Sequence, residues 1–402
     1  MNSGFQENRK NIAVLFGGRS VEHEISIITG IDLISAIDTI RYKVTPVYIT
    51  LDGRWFIGRE LLDRNFYKNL PASLSSVKEV TLLPIPRIGG LCPIQNSKIL
   101  MSPEHIVPID VYIPAFHGQF GEDGCIQGLL EIAEAAYTSS PVAASAIAMN
   151  KYFCKILLAA HDIPVLPGVI VQKRELLKSP EAVLKDLFQT RKFNEFPLFI
   201  KPCNLGSSIG ISRVKVKEEI LPALTKVFKY DTHALIEPCL KDIMEINISV
   251  MDGEEIIASV TEIPVSQSGV LTYEDKYLRG GSKKGLRTRS EGMASLVRVI
   301  DAEDLDPDYK DAVTKHALKA FKLLGCSGIV RFDFMIDTSN GNLYFNELNP
   351  IPGSFAYYLW AKSKPPFLYT EALSRIIENA EKLAGEKHAL QKDTGFKALS
   401  KG

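Results

Sequence analysis

The chain has 402 residues, with 47 basic and 47 acidic side chains and no formal net charge; 46% of it is hydrophobic and 23% charged. At about 150 residues per domain this length holds two or three domains, and the apolar content excludes disordered and fibrous classes. The even charge balance excludes a bulk field for nucleic acid or an anionic membrane.

Residues 12–16 form a short apolar strand, Gly17-Gly18 breaks it, and residues 26–37 have helical periodicity. Residues 44–50 are β-branched, and a turn at 51–54 leads to a strand at 55–57. Residues 58–108, rich in Pro, Ser and Leu, carry no clear pattern. A buried strand at 111–116 and a helix over 124–136 complete an open parallel α/β layer. The uncharged stretch 135–150 reads as a loop or helix approach, followed by a helix at 149–160. A second region has strands at 165–171, 197–201 and 210–214, a loop at 203–208, and helices at 180–190 and 217–228. The third opens with a strand at 233–237 and adds strands at 245–251 and 255–263. A polar Gly/Lys/Arg-rich loop at 266–291, a helix at 307–324 and strands at 328–336 and 343–347 complete it. Domains of 1–139, 140–236 and 237–384 follow, with a flexible lysine-rich tail at 385–402. Six cysteines stand far apart with no CxxC pair, the spacing of free thiols in a reducing cytosol. The polar first ten residues do not read as a signal peptide, and no apolar run approaches the roughly 20 residues that cross a bilayer.

Four segments and a hinge could carry chemistry. In Lys201-Pro-Cys-Asn-Leu-Gly206-Ser207-Ser208-Ile-Gly210 the glycines turn backbone N–H groups inward, hydroxyls add donors and Lys201 adds a charge, which suits a di- or triphosphate. An ordinary hairpin loop is the alternative. Strand alternation places Arg331 and Asp333 on one face, and Glu347 and Asn349 share a face of the next strand. Two carboxylates and an amide oxygen suit Mg²⁺, and an ion pair of Arg331 with either acid is the alternative. For the acids to face each other the residue numbers of paired positions must sum to an even value, so a loop of odd length, Ser339-Asn340-Gly341 with Gly341 left-handed, is expected. Phe116-His117-Gly118 through Gly124 is a strand-end ligand loop. In Gly17-Gly18-Arg-Ser20-Val-Glu22-His23-Glu24, Ser20 reads as a helix N-cap, leaving Glu22 for a substrate ammonium. At the hinge Glu237-Pro-Cys-Leu240 the backbone could meet a planar base, and Glu245 ribose hydroxyls.

In this order the segments resemble the D-alanine–D-alanine ligase family of the ATP-grasp superfamily. GGRSVEHEIS, HGQFGEDGCIQGLLE, MNKYFCK, KPCNLGSS, IEPCL, YEDKYL, VRFDFMID and NELNPIPG carry the likeness from about residue 12 to 359. It implies an α/β, three-domain ATP-grasp fold, with an N-terminal open parallel α/β domain and two α+β subdomains clasping ATP. It implies ATP-dependent joining of two D-alanines through an acyl phosphate for peptidoglycan, in a cytoplasmic homodimer, with no nucleic-acid or membrane partner. Another second substrate, or another carboxylate–amine ligase of this fold, is the alternative.

By matched position, Glu22 would bind the first substrate's ammonium, and Ser207 and Tyr277 would join it in a hydrogen-bonded set. His117 would lie near the first substrate. Lys151, Lys201, Ser208 and Lys276 would serve the ATP phosphates, Glu237 and Leu240 the adenine, and Glu245 the ribose. Asp333, Glu347 and Asn349 would ligate two Mg²⁺, with Mn²⁺ able to substitute, and Arg331 with the Gly353 N–H would form the oxyanion site. Asn150 stands where the family has Asp, which implies altered capping. Tyr358 stands where the family's serine holds the second substrate's carboxylate. Ester-forming relatives carry histidine at the position of Tyr277, so amide formation is expected here. An acyl phosphate hydrolyses if wet, and the loop at 266–291 is the expected lid.

Overall fold

A computed structural model describes residues 9–189, 193–265 and 298–395. The first domain contains β1 (Lys10–Gly17), α1 (His23–Ala36), β2 (Tyr42–Ile49), β3 (Trp55–Ile57), β4 (Lys78–Thr81), β5 (Gly90–Gln95), β6 (Lys98–Ile99), β7 (Val107–Pro108), β8 (Val111–Pro114), α2 (Cys125–Ile132) and β9 (Ala136–Tyr137). They form a nine-stranded sheet in the order β6-β5-β4-β3-β2-β1-β8-β9, with β7 paired to β5. Its centre, β2-β1-β8-β9, is parallel. Residues 58–108, unpatterned in sequence, supply 3₁₀ turns and then the antiparallel strands that widen it.

Along β1 the side chains alternate between two cores, as a strand covered on both faces must. Ile12, Val14 and Phe16 pack with Leu33 and Ile37 near α1, whereas Ala13 and Leu15 pack with Ile126 and Leu130 of α2.

The stretch 135–150, expected to be a loop or a helix approach, takes a helical form: after β9 it forms α3 (Val142–Met149), which bends by 102° into α4 (Lys151–Ala159). Asn150 makes the break and caps α4, accepting from Phe153 N at 3.0 Å. The central subdomain follows with β10 (Val169–Gln172), α5 (Lys173–Lys178), α6 (Pro180–Gln189), β11 (Leu198–Pro202), β12 (Ser212–Val214), α7 (Ile220–Val227) and β13 (His233–Pro238). Its four strands pair antiparallel as β10-β13-β11-β12.

The last part has β14 (Ile243–Met251), β15 (Ile257–Pro264), β16 (Arg298–Ile300), α8 (Pro307–Leu324), β17 (Ile329–Asp337), β18 (Asn342–Asn349), α9 (Tyr357–Trp360) and α10 (Tyr369–His388). The five strands run β16-β15-β14-β17-β18, all antiparallel. Ile246, Ile248, Phe332 and Phe334 face a core with Val313, Ala317 and Phe321 of α8. The alternate residues Asn247, Arg331 and Asp333 therefore form a polar opposite face.

The flexible tail expected from residue 385 is replaced, over the described residues, by the end of α10 and bonded side chains. Lys387 pairs with Glu131, Lys392 pairs with Glu134, and His388 Nε2 lies 3.1 Å from Glu134 O. Upstream, Ala372, Leu373, Ile376, Ile377 and Ala380 of α10 belong to the same core as Ile12 and Val14.

Candidate active site

Because β1 and β8 are parallel neighbours, with Leu15 opposite Pro114, the loops after them meet at the carboxyl edge of the sheet. Open α/β sheets bind ligands at that edge. Glu22 occupies the N-cap position of α1 and is 4% exposed. The N-cap expected of Ser20 is corrected: its Oγ accepts from Glu22 N at 3.1 Å and donates to His117 O at 2.6 Å, tying the two loops together.

The His117 ring lies with Nε2 2.8 Å from Thr29 Oγ1. Burial, and then the charge of Arg331, push its imidazole down to about 4, so it is neutral at pH 7. Glu122 accepts from Gly118 N at 2.6 Å. Burial, and then the charge of Glu22, push its carboxyl up to about 8, so it keeps its proton at pH 7.

From the central subdomain, β11 ends at Pro202 and its loop returns as β12, so the segment is a hairpin loop. Ser207 and Ser208 both take left-handed conformations, with φ of 52° and 59°. The same loop reaches the first domain, because Ser207 Oγ donates to Glu22 Oε1. Lys151 secures it by donating to Leu205 O at 2.7 Å.

On the last sheet Asp333 stands opposite Glu347 and Arg331 opposite Asn349. The odd-length loop is corrected: Asp337 pairs with Asn342, leaving four residues between them, with Gly341 left-handed at φ 76° as expected. That even loop alone would put the acids on opposite faces. A bulge at Asn346 restores the parity, since Phe334 pairs with Phe345 but Asp333 with Glu347.

Arg331 forks onto Asp333, Nε to Oδ1 at 2.6 Å and Nη2 to Oδ2 at 2.8 Å, and Asn349 Nδ2 donates to Oδ2 at 3.0 Å. Lys151 Nζ lies 3.4 Å from Glu347 Oε2. The ion pair and the oxygen cluster therefore coexist. Among the described residues no group of three or more His, Cys, Asp or Glu could hold a metal ion. The set that fits a hard cation is mixed, Asp333 and Glu347 with the amide of Asn349.

Lys151, Lys201, Ser208, Glu237, Leu240, Glu245, Asp333 and Glu347 line one cleft between the central and last sheets. Within it Glu237 is held by two ammonium groups, Lys155 on Oε1 and Lys201 on Oε2 at 2.6 Å. Burial alone would raise its pKa, but the two lysines hold it below the ordinary carboxylate value. Sequence reasoning misses Lys155, although its spacing of four from Lys151 puts both on one helix face.

Tyr358 is buried on α9, its hydroxyl 3.3 Å from Glu262 Oε1 and the Arg298 guanidinium 3.8 Å over its ring. Burial, and then Glu262, push the phenol up to about 12. Arg298 Nη1 donates to Glu262 Oε2 at 2.7 Å, and neither residue had a local sequence signal. Gly353 opens a turn in which Ser354, Phe355 and Ala356 are left-handed at φ 51°, 51° and 49°. Lys276, Tyr277 and the loop at 266–291 lie outside the described residues.

Two family descriptions match the chain: "D-ala D-ala ligase N-terminus" over residues 11–140 and "D-ala D-ala ligase C-terminus" over 157–378. A D-alanine–D-alanine ligase of Chloroherpeton thalassium is 33% identical, covering 93% of this chain and 96% of its own length. One of Geobacillus thermodenitrificans is also 33% identical, covering 94% and 96%. Among solved structures, the D-alanine–D-alanine ligase of Coxiella burnetii superposes with a TM-score of 0.74 at 26% identity, covering 95% of this chain and 96% of that one. The VanG D-Ala:D-Ser ligase of Enterococcus faecalis gives 0.73 at 26% identity, covering 92% and 99%.

Proposed function

The chain belongs to the D-alanine–D-alanine ligase family, and from that premise we propose how its residues join two D-alanine molecules with ATP, giving the dipeptide of the peptidoglycan stem. The observation that carries the assignment is the bond from Ser207, in the phosphate-type loop, to Glu22 at the substrate edge of the first domain. It brings a carboxylate suited to an ammonium beside a loop suited to phosphate.

In this reading Glu22 holds the ammonium of the first D-alanine, and neutral His117 lies beside the substrate without adding charge. ATP occupies the cleft between the sheets, with Lys151, Lys201 and Ser208 toward its phosphates. Glu237 and the Leu240 backbone meet the adenine, and Glu245 the ribose. The first carboxylate attacks the γ-phosphorus, ADP leaves, and an acyl phosphate remains. The free amine of the second D-alanine attacks the acyl carbon, and inorganic phosphate departs as the amide forms. Negative charge grows on the carbonyl oxygen during that attack, and Arg331 with the Gly353 N–H are the donors proposed to receive it. Asp333, Glu347 and Asn349 would hold Mg²⁺, or Mn²⁺ in its place, which neutralises phosphate charge when bound. Lys276 on phosphate and Tyr277 beside Glu22 and Ser207 complete the proposal.

Tyr358 favours a second reading in which the second substrate is not D-alanine. Its hydroxyl is directed to Glu262, and Arg298 covers its ring, so this wall differs from one built on serine. Products are to be identified by mass after incubation with ATP, Mg²⁺ and D-alanine, alone and with D-serine or D-lactate. D-alanyl-D-alanine is the expected main product at neutral pH. Dominance of a mixed product would replace D-alanine as second substrate, and absence of ADP formation with every acceptor would overturn the ligase assignment.

We also infer a homodimer and a cytoplasmic location from family membership, to be tested by sedimentation and fractionation. No single helix among the described residues is long and apolar enough to cross a membrane.

A further inference from the structure

We infer that Lys155 is a positioning residue of the nucleotide site: it retains Glu237 by one oxygen while Lys201 exchanges the other for phosphate. This rests on the proposed roles of Glu237 at adenine and Lys201 at phosphate.

The geometry separates the two lysines. Lys201 and Glu237 both line the cleft, whereas Lys155 stands behind Glu237, 4% exposed on the inner face of α4. Lys155 donates to Oε1 and Lys201 to Oε2, so each carboxylate oxygen has its own cation. Lys201 also lies 3.4 Å from Asn346 Oδ1, a weak contact that does not fix it.

Charge explains why two cations are built around one acid. Glu237 is 2% exposed, and a carboxylate so buried needs a partner at every stage of turnover. Were Lys201 its sole partner, a move of Lys201 toward ATP would strand the acid, and the two roles would compete. With Lys155 in place the group of three carries one positive charge in excess, available to an anion. Burial pushes the Lys155 ammonium down to about 8, with Glu237 opposing that shift, so it remains mostly a cation at pH 7. Helix α4 thereby serves both walls of the cleft, Lys151 reaching Glu347 of β18 and Lys155 reaching Glu237 of β13.

The test is ATP binding by calorimetry and steady-state kinetics on the full chain carrying Lys155→Met. The expected result is a KM for ATP raised by at least about tenfold, with kcat at saturating ATP and KM for D-alanine changed far less. A merely structural role would instead lower the fraction of active enzyme and leave KM for ATP unchanged, and that outcome overturns the inference. The variant Glu237→Gln and the double variant Lys155→Met/Glu237→Gln extend the test, and they decide it if Lys155→Met alone does not fold. With the acid neutralised, loss of Lys155 should weaken ATP binding no further, and equal additional weakening in the double variant also overturns the inference. Failure of the wild-type chain to bind ATP at all would instead refute the nucleotide site itself.

Discussion

At Glu22 two backbones crowd one carboxylate. A Cβ added to Gly118 would lie 2.9 Å from Glu22 Oε2, and one added to Gly206 would lie 3.0 Å from it. Gly118 also takes φ +81°, so Gly118→Ala should raise KM for D-alanine through both strain and the displaced acid. Glu122 next door is the acid that stays protonated. Its folded value of about 8 lies above the ordinary 4.5, so its contribution to stability is complete below about pH 4.5 and is lost as pH rises through about 8. Glu122→Gln keeps the shape and removes the titration. Chemical denaturation at pH 6 and pH 9 should show the variant gaining on the wild type at the higher pH. A stability difference that does not change with pH would refute a protonated Glu122.

At the scale of the hairpin, alternation along β17 and β18 was legible in the sequence, and so was the left-handed Gly341. The loop length was not, because parity counted along regular strands has no way to register a bulge at Asn346. Deleting Asn346 removes the extra residue and sets Glu347 directly after Phe345, still opposite Asp333, so ATP-dependent phosphate release should survive the deletion, as it should Asn346→Ala. Loss of phosphate release on deletion alone would show that the bulge does more than set which face Glu347 takes. The helix α3 was hidden for a related reason. Its residues, VAASAIAM, are small and apolar on nearly every side, so no amphipathic stripe marks it. The charged signals that named the site all lie on elements with clear alternation or at strand ends. Lys155, Glu262 and Arg298 lie far apart in sequence from the groups they bond, and only the packed sheets bring them together.

Across the whole molecule, α10 joins the core of the first domain to that of the last part. Leu373, Ile376 and Ile377 of α10 are at most 1% exposed in a core shared with Ile12, Val14 and Phe16. Composition hides this, since lysines near the end read as solvated tail while the apolar face lies upstream. Ile376→Ala or Ile377→Ala should each cost about 2–5 kcal/mol of unfolding free energy. Lys387→Ala with Lys392→Ala should cost no more than about 1 kcal/mol per pair, because those ammonium groups are half exposed. Denaturant titration ranks the two kinds of anchor, and a reversed order would mean that charge, not the apolar face, holds α10 in place. That closure also has a consequence in time. A ribosome adding about 5–20 residues per second needs roughly 20–75 s to pass from the first strand to the α10 helix that packs on the same sheet. During that interval α1 and α2 already cover β1, but the nascent first domain lacks α10 over β8 and β9, and that apolar edge must be shielded or wait.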